Sequence, residues 1–225
     1  MRQRIGPMAD YSKPDHWSLK AQKEGYPARS VYKLKEMNEK FGLLKPGRLQ
    51  ARLPFKVMDL GAAPGSWSLY ILRKLQGRSG ASNKAGPLLV AIDLAPLARS
   101  HDQGLFDKPE FVFIQGDFTL NETRELILSH GPYDLLVSDA APATSGNRSL
   151  DTLRSLDLAE NALVYAESAL NRGGNFVVKV FQGGDTGNLL KSMRCIFESA
   201  KSFKPEACRP GSFETYYLGL GKKLS

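Results

Sequence analysis

Four aspartates, one lysine and a loop of small residues carry most of the chemistry legible in this sequence. Asp59, Asp93 and Asp139 each sit at or near the end of an apolar run of strand length, and Asp117 lies just past another. Any one carboxylate in that position could simply cap the next helix. Four along one edge make a row of hydrogen-bond acceptors where open α/β sheets bind their ligands. After Asp59 the chain reads Leu60-Gly61-Ala62-Ala63-Pro64-Gly65-Ser66-Trp67 and then turns helix-like to Leu75. Small residues let a backbone lie close to a ligand, and a helix that follows aims its first N–H groups at the crevice. Asp93 stands where a ribose hydroxyl pair would be held. Asp117 could accept from an adenine amino group, and Trp67 packs near the site or in the core.

The loop separates two adenosine-containing ligands. Its pattern, D-x-G-x-x-P-G, is not the G-x-G-x-x-G of dinucleotide sites, and Pro64 lacks an N–H that a pyrophosphate would want. A phosphate-free adenosine ligand fits better, and S-adenosylmethionine is that ligand. A nicotinamide-dependent oxidoreductase is the rival that ligand-binding tests with both cofactors would exclude. Lys179 lies in Phe176-Val177-Val178-Lys179-Val180-Phe181. A lysine inside a strand suited to burial is costly without partners, so it marks either a strand edge or a chemical site. Lys33, on a basic amphipathic helix, reads by itself as a solvated cation.

These residues need a frame. Apolar runs at 55–60, 88–94, 111–115, 133–139 and 175–181 read as strands buried on both faces. Helix-like stretches fall at 67–75, 120–129 and 150–170, the last with Leu153, Leu156, Ala159, Leu163, Ala166 and Leu170 at helical spacing. The alternation predicts an α/β fold, a parallel sheet covered by helices. Near the end, 187–200 reads as a helix, and 201–204 and 215–220 as strands. About ten residues between the last two are too few for a helical crossover, so that pair is expected to be antiparallel. The segment 76–87 reads as a polar, Gly-rich surface loop.

With 225 residues, 42% of them hydrophobic, one domain with a full core is expected. Two cysteines, Cys195 and Cys208, make neither a disulfide framework nor a metal site, so a reduced cytoplasmic protein without metal is expected. An organellar location stays open at the N-terminus, which has no secretory h-region. No run approaches membrane-span length, so no membrane partner is expected. Residues 1–52 hold 12 lysines and arginines against 5 acids, and the rest of the chain 19 against 18. Tyr11, Trp17, Tyr26 and Tyr32 stand among those charges, and cations interleaved with aromatic rings suit nucleic acid.

The sequence also resembles the FtsJ/RrmJ family of RNA ribose 2′-O-methyltransferases over about residues 14–223. The resemblance is carried in order by Asp15-His16-Trp17, Ala21 to Tyr26, Ala28 to Leu34, Leu44-Lys45-Pro46-Gly47, Asp59 to Ser68, Ser138-Asp139-Ala140-Ala141-Pro142, Phe176 to Gly183, and Lys204-Pro205 with Arg209 and Ser212-Phe213-Glu214. It implies a Rossmann-like methyltransferase fold, a mostly parallel seven-stranded sheet with a reversed terminal strand and helices on both faces. Length and the uneven charge together give one methyltransferase domain over 1–225, with 1–52 as a basic RNA-binding segment and 53–225 as the catalytic α/β core. The family's catalytic set falls on Lys33, Asp139, Lys179 and Glu214. Its cofactor contacts fall on Gly65, Trp67, Asp93, Asp117 and Asp139, and the loop neighbours Gly61, Ala62, Pro64 and Ser66 complete the expected S-adenosylmethionine site.

The acceptor that the resemblance implies is RNA and not DNA, and a monomeric enzyme is expected. Family members act on large-subunit ribosomal RNA, on tRNA anticodon loops or on other RNAs. This short chain looks most like the ribosomal group, with a uridine as the methylated nucleotide. A tRNA methyltransferase and a non-catalytic RNA-binding protein on the same fold are the alternatives. A lysine base must be neutral to act, yet its ordinary pKa is about 10.4. Burial and a second cation lower it, while nearby acids oppose them. Near Glu214 the chain departs from many relatives: Ala207-Cys208-Arg209-Pro210-Gly211 stands where they carry more serine and arginine.

Overall fold

The computed structural model describes residues 14–45, 55–76, 88–184 and 186–224. The 76–87 loop (but for Gln76), Tyr11, and Pro46-Gly47 lie outside the described residues. Seven strands form one sheet: β1 (Lys56–Leu60), β2 (Leu88–Asp93), β3 (Phe111–Gln115), β4 (Tyr133–Ser138), β5 (Leu170–Phe181), β6 (Phe197–Phe203) and β7 (Glu214–Lys222). Their order across the sheet is β3-β2-β1-β4-β5-β7-β6. All pairs from β3 to β5 are parallel, and β7 runs antiparallel to both β5 and β6. This is the mostly parallel sheet with a reversed last strand.

Among the described residues six α-helices and a short 3-10 turn at Leu105–Asp107 accompany the sheet: α1 (His16–Lys23), α2 (Val31–Phe41), α3 (Ser66–Leu75), α4 (Asn121–Ser129), α5 (Arg148–Ala169) and α6 (Thr186–Ile196). Side-chain caps start two of them. Asp15 accepts from the Ser18 N–H at 2.9 Å, and Asn147 from the N–H groups of Ser149 and Leu150. One hydrophobic cluster joins α2 and α3 to one sheet face through Leu34, Met37, Trp67, Val177 and Tyr216. The other joins α5 and α6 to the opposite face through Ala162, Ala166, Met193, Val178 and Val180. The two clusters share β5 between them, so Val177, Lys179 and Phe181 fall on the α2 side by strand alternation.

Two boundaries differ from the sequence reading. The helix expected over 187–200 ends at Ile196, because Phe197 enters the sheet and stacks on Phe176, ring centroids 6.0 Å apart. Gly219 makes that possible, since a Cβ there would lie 2.4 Å from the Phe197 ring. Strand β5 also begins at Leu170, directly after α5, because Leu170 pairs with Tyr133 across a register shift.

The sequential strands run outward from β1 through β2 to β3, then restart at β4 on the other side. The crevice between the carboxyl ends of β1 and β4 is therefore the topological switch point, where such sheets bind ligands.

Candidate active site

At that switch point the loop after β1 meets the loop after β4. Gly61 has φ +75°, and a Cβ on it would stand 2.6 Å from the Ala140 Cα. Here glycine is demanded by the protein's own backbone as much as by any ligand. The loop is pinned to the end of β2, where the Ile92 carbonyl accepts from the N–H groups of Gly61 and Ala62. Asp93 accepts from the Ala63 N–H on one oxygen and the Ala95 N–H on the other, both at 2.8 Å. A carboxylate offers about four lone-pair sites, so Asp93 braces the loop and still has acceptors to spare.

A cavity of about 590 Å³ opens beside this junction, lined among others by Gly61, Asp93, Asp117 and Asp139. Its volume lies within the roughly 300–1,000 Å³ of small-ligand sites. Asp117 makes an Asx turn, one oxygen accepting from the Thr119 N–H (2.8 Å) and hydroxyl (2.7 Å). Phe118 and Leu94 supply apolar wall, and Arg154, Asp157 and Leu158 of α5 close the far side. Carboxylates for hydroxyls and amino groups, apolar walls for a purine and no basic loop for phosphates together fit S-adenosylmethionine. The α5 residues carried no signal in sequence, because their side of the cavity depends on how the helix crosses the sheet.

The other loop residues serve the frame. Ala62, Pro64, Gly65, Ser66 and Trp67 do not line the cavity. A Cβ on Gly65 would stand 2.9 Å from the Phe106 ring. Ser66 accepts from the Ala28 N–H at 2.8 Å, and the Trp67 indole N–H donates to the Ser30 carbonyl at 2.8 Å. Both fasten α3 to the start of α2. Ser66 and Trp67 open α3, and the first N–H groups of a helix have no partner within it. Asp59 is fully buried, lies off the cavity and accepts from the Ser68 hydroxyl at 2.7 Å.

Beyond Asp139 the cavity edge meets the second set of residues. Lys179 is 7% exposed and its Nζ lies 3.0 Å from Asp139 Oδ1, while also donating to the Asp139 carbonyl. Tyr216 faces Lys179 across the β5–β7 pairing and donates its hydroxyl to the same Asp139 oxygen at 2.6 Å. Lys33 reaches down from α2 and pairs with Glu214 at 2.8 Å, its Nζ 5.8 Å from the Tyr216 ring centroid. The strand expected to bury a lysine thus does so with partners in place, and Lys33 is a buried cation and not a solvated one. Tyr216 was missed; its signal was the spacing Glu214-x-Tyr216 on a strand antiparallel to that of Lys179.

The pair Lys33–Glu214 is held from both sides. Glu36, one turn further along α2, accepts from the N–H groups of Glu206 and Ala207 at 2.7 and 2.9 Å. Arg29 donates to the Ala207 carbonyl at 2.6 Å, and Lys204 to the Ser212 carbonyl at 2.6 Å. The segment that departs from many relatives is therefore clasped by α2 and by its own lysine.

Electrostatics tie the four groups together. Burial pushes the Asp139 carboxyl up, but Lys179, Lys33 and the Tyr216 hydroxyl outweigh it and hold it below the ordinary carboxylate range. At Lys33 burial works downward, and the carboxylates of Asp139 and Glu214 reverse it, so the net shift is upward. At Lys33, two acids within the site thus outweigh burial and keep it charged, which suits a group that positions the acceptor.

The FtsJ-like methyltransferase family matches residues 26–222. Ribosomal RNA large subunit methyltransferase E of Treponema denticola is 50% identical, across 95% of this chain and 97% of that protein. The protein of the same name from Oleidesulfovibrio alaskensis is 44% identical, across 93% and 92% respectively. Among solved structures, one assigned as a ribosomal RNA methyltransferase from Plasmodium falciparum superposes with a TM-score of 0.67 at 26% identity, covering 88% of this chain and 98% of that one.

Proposed function

The chain belongs to the FtsJ-like methyltransferase family and is an S-adenosylmethionine-dependent RNA methyltransferase; we propose that its acceptor is the 2′-hydroxyl of a uridine in large-subunit ribosomal RNA, and that Lys33, Asp139, Lys179 and Glu214 carry the transfer. The observation that supports this most is the meeting of two sites at one carboxylate. Asp139 lines the donor cavity and is also paired to Lys179.

Bound in the cavity, S-adenosylmethionine supplies an activated methyl group on a positively charged sulfur. Asp93 holds the ribose hydroxyls and Asp117 the adenine amino group. Gly61 and Ala63 of the loop after β1 line the cavity against the remainder, and Gly65 and Trp67 keep that loop in place. Asp139, kept ionised by its cations, places a negative charge beside the donor. Lys179 Nζ points from the strand at the place where donor and acceptor meet. There it would orient the 2′-hydroxyl and, once it has given up its own proton and is neutral, would take the hydroxyl proton as the oxygen–carbon bond forms and the carbon–sulfur bond breaks; Asp139, still held ionised by Lys33 and the Tyr216 hydroxyl, would stabilise the resulting ammonium. Lys33 and Glu214 stay as an ion pair that fixes the acceptor ribose. Holding oxygen and methyl carbon in line can remove roughly 7–11 kcal/mol of the barrier, and a positioned base typically adds 10²- to 10⁴-fold.

The relatives' names favour ribosomal RNA as the acceptor, and the excess of cations in residues 1–52 suits an RNA surface. The test is incubation with a labelled methyl donor and, separately, unmodified large ribosomal subunits and transfer RNA, with mass-spectrometric mapping of the product. A 2′-O-methyl uridine in large-subunit RNA is expected. Methylation confined to transfer RNA, or to a base, would overturn the reading.

A further inference from the structure

A second cavity, of about 330 Å³, lies on the other side of α5 from the donor cavity. Its walls are Thr152, Leu153 and Leu156 from the helix and Gln182, Gly183 and Gly184 from the turn that follows β5. The donor cavity is lined by Arg154, Asp157 and Leu158. At 100° per residue these two sets occupy opposite faces of the helix, so α5 is a partition with a cavity on each side. Nothing in the transfer step described above uses the second one.

The rim of this cavity is tied directly to the residues of the transfer step. The Gln182 N–H donates to the Phe213 carbonyl at 2.7 Å, and Phe213 immediately precedes Glu214. The Phe213 ring meets Phe181 edge-on, centroids 4.6 Å apart, two residues from Lys179. Arg148, at the mouth, holds its guanidinium 5.2 Å from the Phe213 ring centroid. Gly183 has φ +147°, a conformation that disfavours any side chain, and a Cβ there would point to Thr152 at 3.4 Å. The turn thus keeps the cavity floor free of a side chain. Leu153, 63% exposed, offers its apolar surface to solvent.

We infer that this cavity receives an unstacked base of the RNA strand, flanking the methylated ribose. The inference rests on the RNA methyltransferase reading and adds a subsite to it. An apolar wall beside a cation seated on an aromatic ring matches a nucleotide: the base lies against Leu153 and Leu156, and Arg148 neutralises its phosphate. Gln182, Ser149 and Thr152 bring polar atoms to the rim for the base edge. Lys179 lies three residues before Gln182, roughly 10 Å along an extended strand. That reach exceeds a stacked step of about 3.4 Å, so the base held here belongs to a neighbouring nucleotide in an opened strand.

The experiment uses the full chain and large ribosomal subunits lacking the modification. Base stacking on aromatic side chains contributes between about 5-fold and 150-fold in affinity, and an aliphatic wall supplies the lower part of that range. Leu153→Glu is therefore expected to raise KM for the subunits about tenfold, with kcat and S-adenosylmethionine affinity unchanged. Leu153→Met is expected to keep KM within about twofold. In a parallel arm, Leu153 is replaced with photoreactive p-benzoylphenylalanine, and the crosslink is expected within about two nucleotides of the methylated one. An unchanged KM in Leu153→Glu, or a crosslink to a ribosomal protein or a remote nucleotide, would overturn the inference while leaving the function intact. No methylation by the unaltered chain would instead overturn the function, and this subsite with it.

Discussion

Replacing Asp59 with asparagine should remove a large pH-dependent penalty from the fold. Asp59 is wholly buried at the end of β1 with one oxygen accepting from Ser68, and its other oxygen has no partner among the described residues. Burial, with Asp139 and Asp93 adding repulsion and the Ser68 bond opposing them, raises its pKa from an ordinary 3.8 to about 7. Between those values the folded protein holds a proton that the unfolded chain has lost. Stability therefore falls as pH rises through this window and levels off above it. About three pH units at 1.36 kcal/mol each give a loss of about 4 kcal/mol between pH 4 and 8. Asparagine mimics the protonated acid and cannot ionise. Urea melts of both proteins at pH 4, 6 and 8 should show Asp59→Asn gaining on the parent by about that amount. Parallel pH profiles for the two proteins would refute the reasoning.

Three further outcomes follow from the same contacts. Tyr216→Phe deletes a donor to a buried carboxylate, a loss of about 1–3 kcal/mol. Asp139 is held low in the fold, so its stabilisation is present above the ordinary 3.8 and lost as pH falls through its depressed pKa; the variant should unfold at higher pH in acid titration. Asp93→Ala should weaken S-adenosylmethionine binding by tenfold or more, read by calorimetry, and should also lower the melting temperature because Ala63 and Ala95 lose their acceptor. Gly61→Ala forces a Cβ against the Ala140 backbone from a left-handed φ; a loss of about 2–5 kcal/mol is expected in denaturant melts.

Much of this was legible before any coordinates. Strands β1 to β4 announced themselves because a strand buried on both faces must be apolar throughout, and a polar residue at its end stands out. Asp93, Asp117 and Asp139 stood out for that reason, and all three meet at one cavity. Asp59 looked the same in sequence and is different in space, since it sits one residue earlier within β1 and turns to Ser68. Lys179 was visible as a charge inside an apolar strand, whereas Lys33 was visible only through family resemblance. Its burial depends on where α2 lands, and helix periodicity does not fix that. The α6–β6 boundary was read late because Phe197 fits either a helix face or a strand, and only its stacking on Phe176 decides. Tyr216 and the α5 lining of the donor cavity depend on strand register and helix crossing, which are tertiary properties.

The most direct test of the transfer step compares the parent with Lys179→Ala on unmodified large ribosomal subunits, measuring turnover and S-adenosylmethionine affinity together. Turnover should fall by about 10²- to 10⁴-fold, the usual contribution of a positioned base, with donor affinity within about twofold. Near-normal turnover in that variant would contradict the account.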